Sequence, residues 1–310
     1  MPTYYGNDNC FTGFEDSATL GGQYSNTTSG GEGTIGFFHV AEMANHLTDP
    51  GRFLHVYRLF RFEQEDGKPT IGGINVAAAD GQGATLTIAD GVEILIANDF
   101  TVGTTDSTGA LVDLGGETTL DINGVLTVTG TSTVVARARH RSDRVDDAWV
   151  GIGVAIRASD VVVETGSRIT ADGLGYLGGS SESGGRGPGG GLMGQILGGK
   201  GGRCSHAGFA SGPTYGDAFR PIDLGSGGAG EGDYWHGGSG GAGGGAIRMS
   251  VSGTFDLDGI LSANGQDQPD PNWTGGGAGG SVFVTARHFT GSGAIEANGG
   301  DAPSAGGGGG

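Results

Sequence analysis

The stretch Gly237-Gly238-Ser239-Gly240-Gly241-Ala242-Gly243-Gly244-Gly245, running directly into Ala246-Ile247-Arg248-Met249-Ser250-Val251, decides how the chain is read. Glycine gives up more backbone freedom on folding than any other residue, so a run this dense is expected to stay disordered unless something orders it. Here the run feeds a strand-like segment, a turn at Asp258-Gly259 and a second turn at Asn264-Gly265. The same unit then returns: Gly275 to Gly280, Ser281-Val282-Phe283-Val284-Thr285-Ala286, Ser292-Gly293 and Asn298-Gly299. Both turns recur 34 residues apart. Glycine tract, strand and turn therefore form one unit, and its repetition makes it foldable.

The repeat extends upstream in weaker form. Val154-Ala155-Ile156-Arg157 runs through Val161-Val162-Val163 and Arg168-Ile169-Thr170 to Asp172-Gly173, in the pattern of Ala246-Ile247-Arg248 to Asn264-Gly265. Earlier still, Ala84-Thr85-Leu86-Thr87-Ile88 leads to Asp90-Gly91, and Thr118-Thr119-Leu120-Asp121-Ile122 leads to Asn123-Gly124. Asp-Gly and Asn-Gly supply the positive φ of tight turns. Short strands alternating with such turns use the vocabulary of a β-sandwich as well, but their regular spacing favours a mainly β, elongated β-helix (solenoid) carrying a packed polyglycine II layer. In that layer each extended tract lacks internal hydrogen bonds and must bond its neighbours.

Residues 1–70 are expected to be an N-terminal cap. Phe37, Val40, Met43, Ala44 and Leu47 fall at helical spacing, predicting a helix over about 37–47 that Asp49-Pro50-Gly51 stops. A strand follows over 52–63, with Leu54, Val56, Phe60 and Phe62 on one face and Arg58 interrupting it. Residues 71–173 read as the β-helix rungs and 174–310 as the glycine-rich repeat region. The final tract, Gly306 to Gly310, is expected to find its partner outside this sequence.

The chain holds 71 glycines but only 9 prolines and no strict Gly-X-Y period, which excludes collagen. A net charge of −18 argues against nucleic acid as a partner, because phosphate neutralisation needs a basic surface. Lys68 and Lys200 are the sole lysines, an acidic, lysine-poor balance that suits either a high-salt (halophilic) source or an ordinary secreted protein. No apolar run reaches membrane-spanning length, so membrane insertion is not expected. The start Met1-Pro2-Thr3-Tyr4 has no signal-peptide character, leaving a removed leader or assembly into a virion as routes outside. Cys10 and Cys204 form one bridge or remain two thiols, and Asn26-Thr27-Thr28 fits a glycosylation acceptor.

The richest polar and aromatic patch lies between the glycine tracts. The candidates for glycan contact are Tyr215, Asp217, Asp233, Tyr234, Trp235, His236 and Trp273, aromatic rings to stack on sugars and Asp and His to bond hydroxyls. The same residues fit a bland role, capping turns and covering the ends of the glycine layer. Asp217, Asp223, Glu231 and Asp233 supply carboxylates of the kind glycosidases pair, so a polysaccharide-degrading enzyme is the alternative. No spacing forces two of them together, and no G-x-S-x-G nucleophile motif occurs. Arg137, Arg139, Arg141 and Arg144 form a basic contact patch for an anionic glycan or acidic subunit, unless Asp143, Asp146 and Asp147 merely balance a solvated strand end. Neither His39, His46 and His55 nor Gly228 to Asp233 has the spacing of a metal site, and no cofactor or metal is expected.

Ala171-Asp172-Gly173-Leu174-Gly175-Tyr176, Tyr215-Gly216, Asp223-Leu224-Gly225-Ser226-Gly227-Gly228 and Gly243-Gly244-Gly245-Ala246-Ile247-Arg248 with Ser262-Ala263-Asn264-Gly265 resemble the glycine-rich repeats of very large surface and secreted microbial proteins. This resemblance covers roughly residues 150–310. By composition the tracts are also similar to the polyglycine sandwich of phage tail-tip adhesins, whose tip loops bind host receptors. The resemblances imply a non-enzymatic structural or adhesive protein, outside the cell, on its surface or in a virion. Other subunits of a filament or virion tail, and surface polysaccharide, would be its partners.

Overall fold

Wherever Val, Ile, Leu or Thr alternate between glycine turns, the computed structural model has a strand. It describes residues 23–25, 28–29, 37–39, 53–77, 83–105, 109–180, 183–190, 213–230, 238–267 and 274–302. In chain order the strands are β1 (Gln23–Ser25), β2 (Thr28–Ser29), β3 (Phe37–His39), β4 (Phe53–Val56), β5 (Leu59–Phe62), β6 (Thr70–Ile71) and β7 (Gly73–Val76). There follow β8 (Thr85–Ile88), β9 (Glu93–Ile96), β10 (Phe100–Val102), β11 (Leu111–Leu114), β12 (Thr119–Val128), β13 (Thr133–Ala136), β14 (Val154–Val163) and β15 (Arg168–Thr170). The last six are β16 (Ala246–Val251), β17 (Thr254–Leu257), β18 (Ile260–Ser262), β19 (Ser281–Thr285), β20 (His288–Thr290) and β21 (Ala294–Glu296).

These strands correct the expected elongated β-helix. They collect into two parallel sheets of eleven and seven strands, with β3 added antiparallel on β4 at one edge of the larger and β1–β2 a separate pair. The larger sheet runs β19-β16-β14-β12-β10-β7-β4-β3, with β6, β9, β17 and β20 attached. The smaller runs β21-β18-β15-β13-β11-β8-β5. Turn spacing tells which strand lies beside which, but strands of this vocabulary serve any parallel sheet, so it does not settle the architecture. The expected helix over 37–47 is also corrected. Phe37–His39 is a strand paired with Phe53–His55, because cross-strand bonding overrides a helical spacing of apolar residues. Residues 40–47 lie outside the described residues. The one helical element among those described is a 3-10 turn, Gln64–Asp66. Strands β4 and β5, within the expected cap, pair with β7 and β8 and so belong to the two sheets.

Strand alternation sends every second side chain inward. In register, Leu54, Ile74, Phe100, Leu126, Val161 and Phe255 stack in one buried column of the larger sheet. Leu86, Val112, Val134, Ile169 and Leu261 stack in the smaller. All belong to one continuous apolar core. Each such side chain contributes about 1.5–3 kcal/mol on burial, which makes these columns the main stabilising term. On the outer face, Arg137–Asp113, Arg139–Glu117 and Arg157–Asp121 form ion pairs at 2.6, 2.6 and 2.8 Å. Their exposure limits each to about 0–1 kcal/mol.

The glycine tracts lie alongside this core as a layer held by main-chain bonds. The tract around Gly240–Gly245 has partners on several sides: Gly243 N–H donates to Tyr176 O, Gly244 N–H to Ala278 O and Gly241 N–H to Gly275 O. In return Gly175, Gly225 and Gly228 donate to the carbonyls of Gly243, Gly244 and Gly241, all five glycine-to-glycine or glycine-to-alanine bonds being 2.6–2.9 Å long. A Cβ on Gly243 would fall within 3.0 Å of the Gly225 carbonyl, and one on Gly277 within 3.0 Å of the Ala242 carbonyl. Backbone cannot swing aside as a side chain can, so only glycine fits. Bonds to Gly173 O and Gly175 O from the half-buried Arg141 guanidinium fix the layer's first tract at 2.8 and 2.6 Å.

Many of the carboxylates have a structural use. Asp90, Asp99, Asp160, Asp172, Asp258 and Asp267 each accept the backbone N–H of a neighbouring turn, those of Gly116, Val125, Thr254, Asn264, Ser292 and Asp301. These bonds join adjacent turns where the sheet ladders stop. The amide and hydroxyl of Ser292 together hold the Asp258 carboxyl below its ordinary value of 3.8.

Gly243→Val should lower stability by about 3 kcal/mol or more, because overpacking against fixed backbone is not relieved by a rotamer change; thermal melting measures this, and an unchanged midpoint would contradict the packed layer. Asp258 makes one contribution to stability that depends on pH. Its folded pKa is depressed, so its stabilisation is complete above 3.8 and is lost as pH falls through the folded value. The melting-point gap between the native chain and Asp258→Ala should therefore narrow as pH drops below 3.8.

Candidate functional site

Between two glycine tracts, residues 213–223 leave the layer and fold back over it. Tyr215 makes this return possible. Its hydroxyl donates to Leu224 O at 2.6 Å and accepts from Ser226 Oγ at 2.8 Å. Ser226 Oγ in turn accepts the Gly189 N–H at 2.9 Å. The result is a relay from Gly189 through Ser226 and Tyr215 to Leu224. Burial disfavours the phenolate and pushes the Tyr215 hydroxyl up to about 12, against the smaller opposing effect of the Ser226 bond. At the other end of the loop, Ser281 Oγ donates to Asp223 O at 2.6 Å. The tip is shaped by Gly216 at φ +92° and by Asp217, whose carboxylate accepts the Phe219 N–H at 2.8 Å.

Under this loop runs a groove of about 440 Å³, walled by Thr214, Asp217, Pro221 and Asp223 on one side and by Ala278 to Ser281 on the other. On the far side of Asp223 a second depression of about 280 Å³ is lined by Glu117, Ile222 and Arg248. The loop thus brings two carboxylates, Asp217 and Asp223, to one groove. It also displays Phe219 at 94% exposure. Sequence reading singled out Tyr215 and Asp217 but passed over Phe219. The signal available was its place two residues after an aspartate in a glycine-flanked loop, the spacing of an Asx-type turn. Tyr215, expected to stack on sugar, lines this groove and tethers the loop through its hydroxyl, which donates one bond and accepts another. Asp233, Tyr234, Trp235, His236 and Trp273 lie outside the described residues.

Behind the loop, Tyr176 packs against Trp149 with ring centroids 5.3 Å apart and accepts the Gly151 N–H at 2.8 Å. Burial raises its hydroxyl above the ordinary value. Leu224 and Tyr176 share a small buried cluster with Ala138 and Ala246, which ties the loop's return to the sheets.

The four arginines of the expected basic patch engage this chain's own groups. Arg137 grips Asp113 through two bonds, 2.6 and 2.9 Å, which raise its pKa. Arg139 pairs with Glu117. Arg141 serves the Gly173 and Gly175 carbonyls, and burial, helped by the charge of Arg137, lowers its pKa. Arg144 lies 5.1 Å from the centre of the Trp149 ring. Sequence proximity had grouped them, whereas in the fold each meets a different group of this chain. Among the described residues no three His, Cys, Asp or Glu side chains gather as a metal-binding group.

Tyr215→Phe should cost about 1–3 kcal/mol, because Ser226 and the Leu224 carbonyl both lose a partner in a shielded place. The raised phenol pKa has a sign: its contribution persists below an ordinary 10.0 and is lost as pH rises from there through about 12. An ultraviolet pH titration of the native chain should show one tyrosine ionising near that upper value and the variant should lack it.

No family model matches the chain, and neither the curated proteins nor the solved structures searched contain a match to it.

Proposed function

We propose that the protein is a non-enzymatic structural and adhesive subunit of an extracellular filament, cell surface or virion tail, and that it meets surface glycan at the 213–224 loop. The observation that carries this reading is the loop itself. It is anchored at Tyr215 and Asp223 on a layer with no side chains to move, and it carries an exposed Phe219 next in sequence to Ala218, which lines a groove edged by Asp217 and Asp223. An apolar ring beside hydrogen-bonding acceptors is the chemistry that takes a sugar, the ring covering a C–H face and the carboxylates bonding hydroxyls. A fixed platform also spares the ordering cost that weakens binding by mobile loops.

One observation favours a second reading. Asp217 and Asp223 line the same groove, and a carboxylate pair is the equipment of polysaccharide hydrolysis.

Calorimetric titration with a panel of neutral and acidic polysaccharides separates the two. Binding without release of new reducing ends is the expected result, weakened about tenfold or more, roughly 1.4 kcal/mol, by Phe219→Ala and by Asp223→Ala. Turnover abolished by Asp217→Ala would establish the second reading instead. Absence of binding to every glycan would remove the adhesive role.

A further inference from the structure

The depression beyond Asp223 owes its floor to a small residue on the outer face of the larger sheet. Thr119, Ala155 and Arg248 stand side by side in register on β12, β14 and β16, between the buried Leu120, Ile156 and Met249 of the core face. Ala155 is the short one of the three, and the hollow of about 280 Å³ opens over them. One wall is Gly151 to Gly153, fixed by the bond from Gly151 N–H to the Tyr176 hydroxyl and by the paired main-chain bonds of Ile152 with Arg139. The other is Ile222 and Asp223, pinned by Ser281 Oγ. Ile152 and Ile222 are 41% and 42% exposed. Glu117, which also lines the hollow, adopts φ 64°, a conformation that non-glycine residues seldom take and that gathers at binding sites. Arg248 is unlike Arg137, Arg139, Arg141 and Arg157. It is partly buried, yet among the described residues it has no hydrogen bond or ion pair. A guanidinium carries five donors, and here the chain meets none of them.

We infer that this depression is a second subsite, and that it and the loop groove together hold adjoining units of one neutral oligosaccharide. The inference rests on the glycan-binding reading of the 213–224 loop and adds the ligand class and a donor for it. Asp223 lines both hollows, and its anchoring bond uses the main-chain carbonyl, so its carboxylate takes no part in that anchor. The floors adjoin as well: Ala246 of the depression is the register partner of Ser281 of the groove. Alone the depression falls just short of the about 300 Å³ at which ligand sites begin, whereas the two hollows together lie well inside the usual range. A sugar hydroxyl both donates and accepts. Arg248 supplies donors, Asp223 and the Oε1 of Glu117 supply acceptors, and Ile152 and Ile222 offer apolar flanks to a C–H face. Charge selects the neutral chain over an acidic one. A uronate would meet Arg248 but would lie beside two carboxylates on a chain of net charge −18.

Titration of the full chain with oligomers of glucose, galactose and mannose, from one unit to six, and with galacturonate oligomers of the same lengths tests this. Affinity for a neutral series should rise with length until both hollows are filled, and should change little with salt because no charge is brought in. The galacturonate series should bind more weakly. Arg248→Met, which keeps the length of the side chain but not its donors, should weaken the longer neutral oligomers by about tenfold. Ala155→Leu, which fills the floor, should do the same, both with an unchanged circular dichroism spectrum. A readout that needs no variant is the Ile152 methyl resonance of the native chain, which should shift on saturation with the longest neutral oligomer. A monosaccharide that binds as tightly as the hexamer, tighter binding of galacturonate, or an unmoved Ile152 methyl would each overturn the inference. Glycan binding that Phe219→Ala weakens and Arg248→Met does not would overturn it while leaving the loop reading in place. Absence of binding by every saccharide would remove both.

Discussion

A buried amide must find a carbonyl, and in the glycine tracts there is no side chain to help or to hinder. This constraint governs the molecule. An extended glycine segment cannot satisfy its own hydrogen bonds, so each tract exists only in company, and the tract at Gly240–Gly245 bonds to neighbours that include Tyr176, Gly225, Gly228, Gly275 and Ala278. The arrangement is cooperative because no tract can be withdrawn without stranding donors and acceptors on the others. It also explains how so much glycine is compatible with order. The entropic cost of fixing each residue is offset by a main chain bonded on several sides at distances that any Cβ would forbid.

The sheets and the layer support each other at identifiable joints. Arg141 reaches from the strand side to the Gly173 and Gly175 carbonyls, Tyr176 and Leu224 plug into a cluster with Ala138 and Ala246, and Gly245 continues directly into β16. The acidic excess has an account in the same terms. Several aspartates act as acceptors for turn amides, so part of the −18 is structural, and the remainder keeps the surface charged. Function in this view depends on the platform. The 213–224 loop can hold two carboxylates at one groove, with Phe219 exposed between them in sequence, because Tyr215 and Asp223 are bonded to their surroundings.

Much of the local structure was legible in the sequence. Thr85–Ile88, Val154–Val163, Ala246–Val251 and Ser281–Thr285 announce themselves by alternation and by the turns that follow them, and the 34-residue recurrence foretells that β17 lies beside β20 and β18 beside β21. The architecture was not legible, because a repeat distance fixes neighbours without fixing the sheets they build, and two parallel sheets stand where an elongated β-helix was expected. Phe37–His39 misled for a related reason: apolar spacing is a weak local preference, and pairing with Phe53–His55, which no local window contains, overrides it. At the site, residue type revealed Tyr215 and Asp217 but not their roles. That Tyr215 is a tether, and that Arg137, Arg139 and Arg141 face this chain's own acceptors, depends on contacts 9 to 34 residues away.

The central claim is that the glycine tracts are a bonded layer. Amide hydrogen exchange resolved to residues 225–230, 240–245 and 275–280 tests it most directly. These amides should exchange as slowly as those of β14 and β16, the strands of the core they lie against. Exchange at the rate of an unstructured chain in those three tracts, while the strands stay protected, would contradict it.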